Sequence, residues 1–368
     1  MFVSRKNMGI FIGIFLVTVG TASCARENLQ AESDAYNSSL HDAITMQLAQ
    51  SIDLLLADVS ASIKALGEEY TKAYKNTSPF DQEIEREWLD RSTREKETRI
   101  FRPYISASSP APAYHSPFPS YLYYGGEKIE PEIWHQLNAL SALAPSFKVA
   151  CDTFDYSWVY LTTVDETMLI YPYLTLKEAI NNHYPTEQIF YLAADFNNRT
   201  FGWTEPYLDL VGAGMMVTVS YPVYSEDKLL GVVSRDITLS QLSSLAFRPI
   251  SGYAGNLISI IIDRHGLAIA NSQAAAMKEI HEVNDMASAA VLYYRTEEGL
   301  ESVGSKKAAA SSSSLFNSAC EKVLSLAGKD PQGMIWNFTS RSKQQEYDVT
   351  ATKIASTGWL ALTLAPRL

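Results

Sequence analysis

The side chains best suited to bind a small molecule occur between Tyr156 and Leu242, where aromatic residues alternate with a few charged ones. Aromatic rings can stack on an organic ligand, and a few polar groups can fix its charged ends. A cationic ligand would be attracted by a carboxylate and by the face of a tryptophan ring. The charged and aromatic residues of this stretch include Asp195, Arg199, Phe201, Trp203, Tyr207 and Asp236, and Tyr160 and Tyr171 on adjacent predicted strands are candidates for the pocket floor.

Each candidate also has a purely structural interpretation. Trp203 is compatible with a core position, and Tyr207 with a hydroxyl that caps a strand end. Asp236 precedes an apolar segment starting at Thr238 and is compatible with a helix N-cap. Asp195 can be a polar contact or a cap, and Asp209 fits a turn better than a ligand contact.

Signatures of catalysis and metal binding are absent from the sequence. The histidines are scattered without HxH or HExxH spacing, at His41, His115, His135, His183, His265 and His281. No GxSxG elbow, Walker loop or GxGxxG motif occurs. We therefore expect neither an enzyme nor a bound metal or other cofactor.

Two pairs of strands are predicted in the central part of the chain. Residues 157–163 and 168–172 flank a short polar connection of hairpin length. Two longer apolar runs follow at residues 215–224 and 229–239. A helix is expected at residues 132–143, before these strands.

A long amphipathic helix is predicted from about Asp34 to Lys75. Its apolar residues recur every three or four positions, namely Ile44, Leu48, Ile52, Leu55, Val59, Ile63 and Leu66. The stripe can cover a core, or it can form a coiled-coil seam, which would permit a homodimer. Such a helix is roughly 60 Å long at 1.5 Å per residue.

Three further segments carry weaker signals. Mixed charge from Phe80 to Ile100 predicts a solvated helix. The interleaved prolines and aromatic residues from Arg102 to Tyr124 predict irregular chain, which can tether the loop or form one pocket wall. The run from Ala308 to Ser314 predicts an exposed, mobile connection.

The N-terminus is typical of an export signal over residues 1–23. Arg5 and Lys6 precede an apolar segment of about a dozen residues, which is short for a membrane span. Small residues then lead to Cys24 and suggest a bacterial lipoprotein with lipid on this cysteine, although Thr21 stands where that pattern prefers leucine. Plain cleavage and a retained anchor helix are the alternatives. We expect an exported, periplasmic or cell-envelope lipoprotein.

Charge, hydrophobic content and cysteine content indicate what kind of protein this is. A formal net charge of −11 disfavours nucleic acid as a partner, because binding of phosphate groups requires a basic surface. Hydrophobic residues make up 46% of the chain, which indicates a globular protein. Beyond Cys24 only Cys151 and Cys320 remain. We expect two buried thiols rather than a disulfide.

The order of these segments resembles the double Cache (dCache) family, the extracytoplasmic sensor module of many bacterial chemoreceptors and sensor kinases. The resemblance rests on the strands and turns between Tyr156 and Leu242, about a quarter of the chain, and on the closing segment 353–362. It implies an α+β fold in which a long N-terminal helix precedes two PAS-like lobes, each an antiparallel sheet flanked by helices. The strand, turn and strand of residues 257–270 repeat the plan of residues 159–170.

The resemblance also implies a division of the chain. Residues 24–79 would form the linker and long helix, residues 80–249 a membrane-distal ligand-binding lobe, and residues 250–368 a membrane-proximal lobe. No kinase, methyl-accepting or cyclase segment follows, so the sensor module is expected to stand alone and to act through a membrane-bound sensor or transporter. The alternative is a module that has lost its ligand and serves protein contact at the envelope.

Ligand roles are implied by the family's R-x-W-Y motif and by its later Tyr and Asp. Trp203 matches the motif tryptophan, Tyr207 the later tyrosine and Asp236 the late aspartate. Phe201 stands where a carboxylate-binding arginine would be, and Arg199 lies two residues earlier. Because the guanidinium is the best partner of a carboxylate, its loss favours an amine or heterocycle over an ordinary amino acid.

Overall fold

The computed structural model describes residues 6–103, 105–106, 108–152, 158–180, 184–209, 214–248, 257–284, 290–303, 307–342 and 345–367. Side chains are described from residue 38 onward, except Ser302. The start of the predicted signal peptide, the Cys24 side chain and the predicted lobe boundary at residue 250 lie outside these described parts. Within the described residues, no helix combines the length and apolar character that a membrane crossing requires.

The first helix, α1, runs from Lys6 to Asn76 and ends close to where the apolar stripe predicts. The stripe is buried against the protein's own lobes, with Leu48, Ile52, Val59 and Ile63 fully buried. A coiled-coil seam would therefore have to use another face of α1.

The first lobe contains a nine-stranded antiparallel sheet in the order β1-β2-β3-β5-β4-β9-β8-β6, with β7 also paired to β8. The strands are β1 Ser92–Glu95, β2 Thr98–Phe101, β3 Ser120–Tyr123, β4 Val159–Thr163, β5 Thr167–Tyr171, β6 Gly202–Trp203, β7 Tyr207–Leu208, β8 Met215–Ser225 and β9 Lys228–Thr238. The predicted hairpins β4/β5 and β8/β9 are present.

Two predictions in the first lobe are wrong. The charged segment 80–100 is only partly helical, because β1 and β2 form a hairpin after the short helix α2, Gln82–Asp90. The turn residue Lys96 has a φ of 53°, which reverses the chain there. The irregular segment 102–124 ends in strand β3, which pairs with β2 and β5.

Helices cover both faces of this sheet. On one face lie α1, α3 Pro131–Ala142, as predicted, and α4 Ala144–Asp152. Over the other face lie α5 Leu176–Ala179, a 3-10 turn Pro185–Glu187 and α6 Ile189–Leu192. The last helix of the lobe, α7 Leu239–Phe247, follows β9.

The second lobe repeats the plan with a five-stranded antiparallel sheet in the order β11-β10-β16-β15-β14. Its strands are β10 Ile258–Ile262, β11 Ala268–Asn271, β14 Ile335–Ser342, β15 Gln345–Lys353 and β16 Leu360–Pro366. The other elements are α8 Ala274–Val283, β12 Val291–Tyr293, α9 Glu297–Leu300, a 3-10 turn Glu301–Val303, β13 Ala308–Ala310 and α10 Ser314–Lys329. The α+β architecture of a long helix and two PAS-like lobes is thus confirmed.

The alanine and serine run is ordered structure rather than a mobile connection. Ala308–Ala310 form β13, which pairs in parallel with β12. Ser311 is buried, and the Ser313 hydroxyl caps α10 by accepting a hydrogen bond from the Phe316 amide at 3.3 Å. Small hydroxyl side chains serve here as cap and core residues. Cys151 and Cys320 are both buried thiols and form no disulfide, as expected.

Candidate functional site

A cavity of about 180 Å³ lies in the first lobe between the sheet and the segments α5, α6 and β7. It is lined by Tyr124, Trp158, Tyr160, Met168, Ile170, Leu174, Glu178, Ala179, Pro185, Gln188, Ile189, Phe190, Tyr207, Leu208, Asp209 and Asp236. Most of these side chains are apolar or aromatic, and the charged groups among them are all carboxylates. The cavity therefore has the composition of a small-molecule site that favours positive charge.

The two-residue period of the strands decides which side chains reach the cavity. Tyr160 on β4 faces it together with its cross-strand partner Ile170 on β5. Asp236 on β9 is paired with Thr218 on β8, so these two side chains also share a face. The residues between them in each strand point to the helical core on the other side of the sheet.

Asp236 is the centre of a buried hydrogen-bond network. Its Oδ1 accepts hydrogen bonds from the Tyr160 hydroxyl at 2.9 Å and from the Thr218 hydroxyl at 2.7 Å. The Tyr207 hydroxyl lies 2.7 Å from Thr218 Oγ1. Because Thr218 gives its only hydroxyl proton to Asp236, Tyr207 must be the donor in that contact.

Burial controls the ionisation of this network. It raises the pKa of Asp236 to about 7, and the hydrogen bonds from Thr218 and Tyr160 oppose that rise. Burial and the neighbouring Asp236 also raise the pKa values of Tyr160 and Tyr207 well above the usual range, so both phenols remain donors at neutral pH.

The second oxygen of Asp236 is available to a ligand. Both hydrogen bonds to the carboxylate fall on Oδ1, and Oδ2 accepts none from the described residues. No lysine, arginine or histidine is among the described residues that line the cavity. A cation placed beside Oδ2 would supply the missing partner of a buried carboxylate.

Three of the predicted site residues, Tyr160, Tyr207 and Asp236, line this cavity together. The alternative interpretation of Asp236 as a helix cap is wrong, because Thr238 is the N-cap of α7. The Thr238 side chain accepts from the Gln241 amide at 3.2 Å, and the Gln241 side chain accepts from the Thr238 amide at 3.1 Å. Asp236 is thus not needed to start the helix.

Trp203 and Phe201 lie on the opposite side of the sheet from the cavity. Trp203 is paired with Val219, whose side chain belongs to the helical core, and both aromatic residues pack against that core. Phe201 also contacts the ring of Tyr221, with 5.1 Å between ring centroids. The expectation that these two rings share a pocket with Asp236 is therefore wrong, because their side chains lie on the opposite face of the sheet.

Arg199 and Asp195 lie at the lobe surface, outside the cavity lining. Arg199 stacks over the Tyr224 ring at 4.4 Å and forms an ion pair with Asp227 at 2.9 Å. Asp195 accepts hydrogen bonds from the backbone and side chain of Asn198, which is the arrangement of a turn cap. Arg199 thus does not replace the missing carboxylate-binding arginine of the cavity.

Tyr171 is adjacent to Tyr160 in the sheet but lies on the other face. Its cross-strand partner is Val159, one residue before Tyr160, and it belongs to the helical core. Only Tyr160 of the two candidates can form the pocket floor.

Sequence reasoning missed several lining residues. Trp158 lies two positions before Tyr160, so the strand period could have placed it on the same face. Thr218 is not a lining residue, but it donates a hydrogen bond to Asp236 and could have been found only from its pairing with that residue. Asp209, interpreted as a turn residue, lines the cavity, and so does Glu178 on α5.

Comparisons with known proteins show what residues 135–244 and the overall fold are similar to. Residues 135–244 match the family model described as "Methyl-accepting chemotaxis protein-like, first PDC sensor domain". Over 119 residues the chain is 34% identical to the methyl-accepting chemotaxis protein McpC of Bacillus subtilis (strain 168). That alignment covers 29% of this chain and only 18% of McpC.

Solved structures show the same architecture over nearly the whole chain. The sensory domain of the Campylobacter jejuni chemoreceptor Tlp3 with isoleucine bound has a TM-score of 0.50 and 13% identity, covering 91% of this chain and 95% of that one. The ligand-binding domain of Tlp3 with L-valine has a TM-score of 0.51 and 14% identity over the same shares. The chain therefore has the fold of a double Cache sensor domain. The residues matched by the family model, 135–244, lie within the first lobe.

Proposed function

We propose that this protein binds a small organic cation, most simply a primary amine, in the first-lobe cavity. The observation that carries the proposal is the buried Asp236 carboxylate, whose Oδ2 accepts no hydrogen bond from the described residues. Tyr160 and Thr218 hold the carboxylate in place from the other side. An ammonium group can donate a charge-assisted hydrogen bond to Oδ2.

A free amino acid fits this cavity less well than an amine. Its carboxylate would enter a site whose charged lining groups, among the described residues, are Glu178, Asp209 and Asp236. Like charges in a cavity of low dielectric constant repel strongly. Amino acids are nevertheless the natural comparison ligands, because the similar Tlp3 domains bind isoleucine and valine.

The test is isothermal titration of the mature domain with n-butylamine, amino acids, purines, carboxylates and sugars, using wild type and Asp236→Asn. The amide keeps the shape of the side chain and removes its charge. We expect butylamine to bind wild type and to lose about ten-fold or more in affinity in the variant, since a hydrogen bond to a charged group contributes about 1.5–3 kcal/mol.

Asp227→Asn is the matched control, because Asp227 is 96% exposed and lies outside the cavity lining. It should bind like wild type. Equal affinity of butylamine for wild type and Asp236→Asn would contradict the proposal. No binding by any compound in the panel would favour the alternative, a Cache-fold module for protein contact.

We also propose that the protein is exported, carries lipid on Cys24 and presents its bound state to a membrane-bound signalling or transport protein. The signal-like residues 1–23 and the small residues before Cys24 support the anchor. The similarity to the chemotaxis protein McpC supports a signalling partner. Cross-linking at the envelope with and without ligand tests the partner, and radiolabelled palmitate tests the anchor.

A further inference from the structure

Two further carboxylates line the same cavity as Asp236. Glu178 lies on α5, and Asp209 directly follows β7. Both act on Tyr114, whose pKa is raised first by burial and then by the negative charges of Asp209 and Glu178. The two carboxylates thus form a second acidic region, contributed by segments that cover the sheet rather than by the sheet itself.

Glu178 has an unsatisfied oxygen in this region. Its Oε2 is buried and accepts no hydrogen bond from the described residues. A buried acceptor without a partner is costly, and most such atoms in folded proteins are hydrogen-bonded. Together with Asp236 Oδ2, this gives two carboxylate oxygens in one cavity that lack a donor among the described residues.

The walls and the size of the cavity limit what can connect the two acidic regions. Ile170, Leu174 and Ile189 supply apolar surface. The volume of about 180 Å³ is comparable to the roughly 150 Å³ cavity that accommodates benzene in another protein. The ligand should therefore be a small molecule with an apolar middle, on the order of six heavy atoms.

We propose that the preferred ligand is a short aliphatic diamine, with one ammonium bound by Asp236 and the other by Glu178 and Asp209. This inference rests on the proposed function and adds the number and placement of the charges. A monoamine fills only the Asp236 position and leaves Glu178 without a donor. The diamine satisfies both acidic regions, and its methylene chain lies against the apolar wall.

The test compares 1,4-diaminobutane with n-butylamine by isothermal titration at constant ionic strength. For wild type we expect the diamine to bind about ten-fold or more tightly, because it adds a second charge-assisted contact. Glu178→Gln should remove most of that advantage, because the neutral amide cannot form an ion pair with the second ammonium. Asp209→Asn provides a second variant, and thermal melts confirm that both variants fold.

Glu187→Gln is the matched control, since Glu187 is exposed in the 3-10 turn beside the cavity and does not line it. It removes the same charge and should keep the full preference for the diamine. Equal affinities of the two amines, or a preference that survives in both Glu178→Gln and Asp209→Asn, would overturn the diamine inference and leave the amine site intact. Failure of both amines to bind wild type would instead overturn the proposed function itself.

Discussion

At the scale of single residues, the charge of the cavity depends on the protonation of Asp236. Burial raises its pKa to about 7 because the hydrogen bonds from Thr218 and Tyr160 offset only part of the desolvation. Near neutral pH, Asp236 is therefore protonated in some molecules and ionised in the others. An ammonium ligand is attracted to the anionic form, so binding should release a proton from the neutral fraction.

This argument predicts a pH dependence of amine affinity. With a pKa near 7, the ionised fraction of Asp236 rises about ten-fold between pH 6 and pH 8, whereas an alkylamine with a lysine-like pKa stays protonated. We expect butylamine affinity to rise by about the same factor. Titrations at pH 6, 7 and 8 measure it, and Asp236→Asn should show a flat profile. A flat wild-type profile would mean that this carboxylate does not bind the ligand.

At the scale of secondary structure, a glycine allows strand β6 to lie close to the end of helix α6, which covers the cavity. Gly202 on β6 lies directly against the backbone carbonyl of Ala193, just after α6, and a Cβ there would stand 1.6 Å from that oxygen. Only glycine allows this approach. Ser220 further holds α6 by donating a hydrogen bond to the Phe190 carbonyl. The strand β8 thus positions both the network around Asp236 and the helix above it.

Helix α1 stabilises the fold through its buried apolar face. Leu48 is fully buried, whereas Leu54 on the same helix is 68% exposed. Leu48→Ala should lower the free energy of unfolding by about 2–5 kcal/mol, as for other core leucines. Leu54→Ala should change it by no more than about 0.5 kcal/mol. Urea unfolding followed by circular dichroism measures both.

The comparison also separates the two uses of the helix. A large, concentration-dependent loss of stability in Leu54→Ala with little effect in Leu48→Ala would indicate a dimer seam instead of packing on the lobes. Analytical ultracentrifugation of the same variants measures whether the chain forms a homodimer.

At the scale of the whole molecule, α1 belongs to both lobes. Near its middle, Asp53 accepts hydrogen bonds from the amides of Ala355 and Ser356, which lie between β15 and β16. Further along, the Thr71 hydroxyl donates to the Tyr224 carbonyl of β8 at 3.4 Å. One helix thus connects the sheet that carries Asp236 to the sheet of the second lobe.

A polar contact also links the cavity side of the first lobe to the second lobe. Glu205, two residues before Tyr207, accepts a hydrogen bond from Arg264 and lies 3.6 Å from His265. These partners occupy the turn between β10 and β11. Because the three side chains are 49–69% exposed, the contact adds little to stability. It nevertheless joins the chain next to the ligand site to the other lobe.

A lipid on Cys24 would hold the whole molecule at a membrane. If Cys24 carries lipid, radiolabelled palmitate should be incorporated into the full chain and the protein should fractionate with membranes. Cys24→Ala should lose the label, whereas Ser23→Ala, which keeps a small residue before the cysteine, should retain it. Label that persists in Cys24→Ala would exclude this cysteine as the anchor.

The local pattern of the chain predicted individual elements, and the resemblance to the double Cache family predicted their arrangement in two lobes. The apolar stripe of α1, the hairpin β4/β5 and the long strands β8 and β9 follow from periodicity, because each element must bury one face. The resemblance to the double Cache family predicted Tyr207 and Asp236 as ligand contacts, and the strand position of Tyr160 made it a candidate for the pocket floor; all three line the cavity. Periodicity failed at residues 92–101, where charged residues form an edge hairpin.

The tertiary structure alone decided which side chains face one another. Trp203, Phe201 and Tyr171 are as aromatic as Tyr160 and Tyr207, yet strand pairing turns them to the helical core. Glu178 and Asp209 carry no distinguishing pattern in the sequence, and the folding of α5 and β7 over the sheet brings them to the cavity that contains Asp236. Period and composition are properties of a segment, whereas a binding site depends on pairing register between segments far apart in the chain.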